Sequence, residues 1–173
     1  LARNPRPLRL AYGGEVMRVV PDVLNPERQL MQAGAEIIGR DDKQAAAEII
    51  LLGVRALNQA GILDLTIDLG LPCLAEAVLG DELTAMDAAV KDEMFSAISD
   101  RDITRLTKLP LKAAPHLAEI IDASGAAASR LAEVAKILPD AAAEQLSGLI
   151  DIATSLNGLL PDIAITLDPL DMQ

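Results

Sequence analysis

Residues Arg9–Gly39 read RLAYGGEVMRVVPDVLNPERQLMQAGAEIIG. Leu8–Val20 alternates loosely with the period of a strand, and its Gly13–Gly14 pair predicts a bulge or a close backbone approach. Pro21–Glu27 carries two prolines and an Asn–Pro step, the chemistry of a loop. Arg28–Gly39 is a second strand, so the stretch predicts an antiparallel hairpin. Positions two apart on a strand share a face. Arg28, Leu30, Gln32, Gly34 and Glu36 therefore lie on one side. If the hairpin closes symmetrically around its loop, Arg18 comes beside Arg28 and Gly14 beside Gln32. That face then carries two guanidiniums at the loop end, followed by an amide and a carboxylate over a glycine floor. Guanidiniums suit phosphate or carboxylate groups, and a carboxylate beside an amide suits a small amino-bearing ligand. A zwitterionic amino acid matches the arrangement. A solvated strand face with cross-strand ion pairs would read the same way.

Beyond the hairpin, Asp41 or Asp42 can cap a helix running to about Gln59, with Ala45, Ile49, Leu52 and Leu57 at roughly helical spacing and Gly61 as its stop. Leu63–Leu69 alternates strictly and predicts a strand. Pro72 to about Asn157 reads as helical. Its pieces are a short helix ending near Gly80, a second over Asp81–Ile98, and a third capped by Ser99–Asp100 or Asp102 and running through Leu106. Pro110, Pro115 and Pro139 punctuate the rest. Ser124–Leu138 and Ala141–Asn157 predict an antiparallel helix pair. Ile163–Leu167 predicts a short strand. The order is that of an α+β sheet domain interrupted by a helical insertion. It divides into a core segment at 1–71, the insertion at 72–160 and a return strand at 161–173. Both ends of the chain look cut from something longer.

Composition narrows the chemistry. The 173 residues are 51% hydrophobic but only 1% aromatic, with one Tyr, one Phe and no Trp, so the core must come from Leu, Ile, Val, Ala and Met. Aromatic platforms for stacking bases are missing. The net charge of −11 repels a phosphate backbone, which argues against nucleic-acid binding. No apolar run suits a bilayer; the best, Ala45–Val54, is broken by Glu48. One cysteine, Cys73, forms no internal disulfide, and no Cys/His cluster suits zinc. A cytoplasmic setting fits. His116 lacks a nucleophilic or metal-binding neighbour in the sequence and reads as structural or exposed. Cys73 reads as a small buried residue. The acidic pairs Asp64/Asp68 and Asp168/Asp171 read as solvated faces.

The hairpin resembles motif 2 of class II aminoacyl-tRNA synthetases in its histidyl-tRNA synthetase version. That pattern has an Arg closing the first strand, a variable loop, Arg-Gln, a Gln three positions on, and Gly-x-Glu before a closing Gly. This chain supplies Arg18, Arg28-Gln29, Gln32, Gly34, Glu36 and Gly39. Ala47-Glu48 matches the family's Ala-Glu pair, and the terminal LDPLD resembles the approach to the histidine-recognition loop. The resemblance implies a class II synthetase-like antiparallel sheet fragment with a helical insertion. It implies that Arg18 faces an α-phosphate, that Gln32 and Glu36 hold histidine, and that the carboxylate pairs with the amino group. The departures concern ATP. Val20 stands where synthetases have a Glu, Pro26 replaces a basic loop residue, and Leu30 replaces an aromatic. The family's first and third motifs, for the dimer interface and an ATP-binding Arg, have no match.

Retention of the amino-acid half and erosion of the ATP half, with the phrase LRLAYGGEVMR, resembles the regulatory subunit of the short-form ATP phosphoribosyltransferase. The resemblance implies a non-catalytic protein of histidine biosynthesis that binds free histidine and needs no cofactor or metal. Its implied partner is a separate catalytic ATP phosphoribosyltransferase subunit, reached through a homodimer inside a hetero-oligomer, without membrane or nucleic acid. Its implied function is feedback inhibition. The alternative is a fragment of an active histidyl-tRNA synthetase, an ATP-dependent ligase.

Overall fold

The computed structural model describes residues 5–20, 26–125 and 128–171. Of the loop expected at Pro21–Glu27, residues 21–25 lie outside the described residues, as do the extreme ends. The chain forms two compact units, one up to Ala60 and one from Gly61.

In the first unit, β1 (Leu8–Met17) pairs antiparallel with β2 (Gln29–Ile38) over ten residue pairs, from Leu8↔Ile38 to Met17↔Gln29. The register is unbroken, so Gly13 and Gly14 make no bulge. They are simply paired strand residues without side chains. The helix α1 (Lys43–Gln59) follows. Asp42 caps it, accepting from the Ala45 backbone N–H at 2.8 Å. Gly61, at φ 89°, supplies the left-handed residue that ends it. The buried positions of α1 are Ala45, Ala47 and Val54, while Leu52 and Leu57 are exposed. Apolar residues surround this helix on nearly every side, so spacing alone did not single out the buried stripe.

In the second unit, β3 (Thr66–Leu69) pairs with β4 (Ala164–Leu167), in register Thr66↔Ala164 to Leu69↔Leu167. This pair is parallel, so the chain between must cross over. β3 is shorter than expected: Leu63 is 77% exposed and precedes the strand. The crossover is the helical block: α2 (Leu74–Leu79), α3 (Asp81–Ala85), α4 (Ala88–Ser99), α5 (Ile103–Thr107), α6 (Ala114–Ala123), α7 (Ala128–Ala135) and α8 (Asp140–Leu159). The expected single helix over Asp81–Ile98 is two. Met86 is extended, at φ −82° and ψ 136°, and breaks the run before Asp87. Asp102 rather than Ser99 or Asp100 caps α5, accepting from the Arg105 N–H at 2.9 Å. Ser124 closes α6 instead of opening α7; its hydroxyl donates to the Ile120 carbonyl at 2.8 Å.

Leu74, Met94, Leu117, Ile120, Leu131 and Leu146 are fully buried and form the centre of this block. Among the described residues the buried set contains no polar or charged side chain. α8 packs on α7, α2 and β4, so it ties the block to the strand pair. Cys73 is exposed, against expectation, because it sits at the start of α2 just ahead of the buried stripe that begins at Leu74. No described helix is long and apolar enough to cross a membrane.

Candidate functional site

The hairpin register sets the site. Cross-strand partners share a face, so Arg18, Val16, Gly14, Tyr12 and Leu10 line up with Arg28, Leu30, Gln32, Gly34 and Glu36. The opposite face carries Arg9, whose guanidinium makes a two-point ion pair with Glu48 of α1; one arm, Nη2 to Oε2, is 2.8 Å. The hydrogen bond to Arg9, followed by its charge, holds the Glu48 carboxyl below the usual range. The same contact raises Arg9. α1 is thus tied to the Arg9 face, away from the Gln32 and Glu36 face.

At the loop end the ladder continues past β1. The Arg18 N–H donates to the Arg28 carbonyl at 2.8 Å, and Arg28 Nε donates to the Arg18 carbonyl at 3.1 Å. The symmetric closure expected from the sequence therefore holds for Arg18 and Arg28. One nitrogen of Arg28 helps close the hairpin. Among the described residues, no other hydrogen bond or ion pair engages its terminal nitrogens or the Arg18 guanidinium.

Deeper along the face, Gln32 stands opposite Gly14 and Glu36 opposite Leu10. Both side chains are exposed, and Glu36 has no side-chain partner among the described residues. Between them lies Gly34, whose missing side chain leaves a gap. Tyr12 fills it. A Cβ at Gly34 would overlap the tip of the Tyr12 ring, so a side chain there would push the ring aside. Gln32 Nε2 donates to the Tyr12 hydroxyl at 3.4 Å, a long bond. Sequence reasoning did not single out Tyr12. The signal was present: the symmetric register that pairs Arg18 with Arg28 also pairs Tyr12 with Gly34.

The remaining candidates lie elsewhere. In the second unit, Asp168 pairs with Arg101, and Asp68 accepts from the Thr166 hydroxyl of the neighbouring strand. His116 is half-buried on α6. No group of three metal-ligating side chains occurs among the described residues.

Known proteins share this architecture. An ATP phosphoribosyltransferase regulatory subunit from Paramagnetospirillum magneticum is 37% identical over 172 residues, covering 99% of this chain and 45% of that protein. The crystal structure of an ATP phosphoribosyltransferase regulatory subunit/histidyl-tRNA synthetase from Bacillus halodurans C superposes with a TM-score of 0.75 at 20% identity, covering 99% of this chain and 46% of that one. The ATP phosphoribosyl transferase (HisG:HisZ) complex from Thermotoga maritima gives 0.64 at 15% identity, covering 96% and 58%. This chain thus spans less than half the length of the curated relative. The profile of the family described as histidyl-tRNA synthetase matches residues 1–173. With the hairpin in register and the fold shared, the chain belongs to the histidyl-tRNA synthetase family, and the curated relatives it resembles are ATP phosphoribosyltransferase regulatory subunits.

Proposed function

We propose that this chain is part of a non-catalytic regulatory subunit of ATP phosphoribosyltransferase that binds free histidine and transmits feedback inhibition. The observation that carries the reading is the placement of Gln32 and Glu36 on one open face, two residues either side of Gly34. An anionic carboxylate and an amide with both donor and acceptor atoms can share an ammonium-bearing ligand. Arg18 and the terminal nitrogens of Arg28 stand at the loop end of the same face for an anionic group. Val20, Pro26 and Leu30 remove three side chains a synthetase would use for ATP, which favours sensing over ligation.

The mechanism is linkage. Histidine binds one state of the assembly better than the other, and by reciprocity that state carries the less active catalytic subunit. The Thermotoga maritima complex pairs two kinds of subunit, HisG and HisZ, which supports a catalytic partner. In this reading the parent protein forms a homodimer within a hetero-oligomer with its catalytic partner and works in the cytoplasm. The second reading, a fragment of an active, ATP-dependent histidyl-tRNA synthetase, is favoured by the family match and by the second half of the Bacillus halodurans protein's name.

Calorimetric titration of the full-length protein with histidine and, separately, with ATP-Mg separates the two. Histidine heat without ATP heat is the expected result, and Glu36→Ala should abolish it. Heat from both ligands would restore the synthetase reading. Heat from neither would leave the polar face as inherited structure.

A further inference from the structure

The atoms nearest the Gly34 position are Cζ, the hydroxyl oxygen and Cε1 of Tyr12. The tip of the phenol, not its flank, therefore rests on the glycine floor. The floor lies between Gln32 and Glu36, so the phenol occupies the space that a ligand bridging those two side chains would need. Its hydroxyl also takes a hydrogen bond from the Gln32 amide. The protein thereby partly satisfies its own ligand-recognising amide.

What holds the phenol there is slight. Tyr12 is 49% exposed, and its hydroxyl's bond to Gln32 is long, at 3.4 Å. Rotation about χ1 carries such a ring into solvent through ordinary staggered wells. We propose that Tyr12 is a plug: it occupies the empty amino-acid seat, and the ligand binds only when the phenol swings off Gly34. This inference rests on the histidine reading of the same face.

The plug makes affinity depend on the open fraction. The apparent dissociation constant exceeds the intrinsic one by the reciprocal of that fraction. A weakly held plug closed most of the time reduces affinity on the order of 3- to 10-fold. The seat also becomes selective, because an amine that contacts only Glu36 gains nothing by displacing the phenol, whereas one that also engages Gln32 replaces the lost bond.

The test is calorimetric titration of histidine into full-length wild type, Tyr12→Ala and Tyr12→Phe, with thermal melts confirming that each is folded. The expected result is tighter binding to Tyr12→Ala, on the order of 3- to 10-fold. Tyr12→Phe keeps the ring but frees the amide, so it should tighten by a smaller factor. Unchanged or weaker binding to Tyr12→Ala, with wild type binding normally, overturns the plug and makes Tyr12 a bystander or a ligand contact. Should Tyr12→Ala not fold, weaker binding to Tyr12→Phe does the same. Binding by none of the three overturns the histidine reading itself, and the plug with it. Binding only by Tyr12→Ala supports both.

Discussion

Gln32 on β2 stands directly opposite Gly14 on β1, and a Cβ at Gly14 would meet no heavy atom within 4 Å. The amide thus has an empty position beside it on the candidate face. Gly14→Val should be neutral or mildly favourable to folding, within about 1 kcal/mol, because a β-branched residue suits a strand. It should nevertheless crowd the seat beside Gln32 and weaken histidine binding on the order of tenfold or more. A thermal melt alongside a histidine titration checks the pair of outcomes. Intact binding would move the ligand away from Gln32.

Glu48 titrates low because of Arg9, and the sign of the consequence follows. A carboxyl depressed on folding adds stability that is fully present above its unfolded value, near 4.5, and is lost as pH falls through the folded value. Glu48→Gln should therefore lower the melting temperature near neutrality, and the gap to wild type should narrow as pH falls below about 4.5 and through the lower folded value. Melts of both proteins across that range decide it. A gap that stays constant would mean that charge plays no part.

Glu82 reaches from α3 to the start of α6, where its two carboxylate oxygens accept the backbone N–H groups of Lys112 at 2.8 Å and Ala113 at 2.9 Å. α6 has no capping side chain of its own at Ala113. Glu82→Ala would strip the acceptor from two donors at a helix start and should cost about 1–2 kcal/mol in urea unfolding. Glu82→Gln, with one acceptor oxygen, should fall between.

Arg101 follows α4 with φ 54°, a left-handed conformation that glycine adopts more readily, and its guanidinium pairs with Asp168 just after β4. Arg101→Gly should relieve the backbone while breaking the pair. Asp168→Asn should therefore destabilise the Arg101 protein but not the Arg101→Gly protein. A double-mutant cycle should return a coupling of about 0.5–1 kcal/mol, since Arg101 is half-exposed. A coupling of zero would make the ion pair incidental.

The hairpin was legible because its determinants are local. Alternation, the proline-rich loop and a symmetric closure suffice to bring Arg18 to Arg28 and Gln32 to Gly14. The Asp42 cap and the Gly61 stop of α1 were legible for the same reason. What escaped depends on distant partners. The break at Met86 lies in an extended backbone with no proline or glycine beside it to mark it in the sequence. Cys73 carries an apolar side chain, yet only the direction of the α2 stripe shows that it faces out. The parallel pairing of β3 and β4 is decided by the whole helical block between them. At the candidate site, Tyr12 escaped because a half-exposed aromatic gains its meaning only from the glycine across the ladder.

The strand pair brings together residues such as Asp68 and Thr166, which are 98 positions apart in the chain. Closing so long a loop carries a large entropic penalty before four residue pairs can offset it. The helices, whose contacts are nearer in sequence, should bring the two ends together first, and the small sheet is then expected to form late in folding. Weakening α8, for instance by Leu146→Ala, should then slow folding itself instead of only hastening unfolding, which a chevron plot would separate.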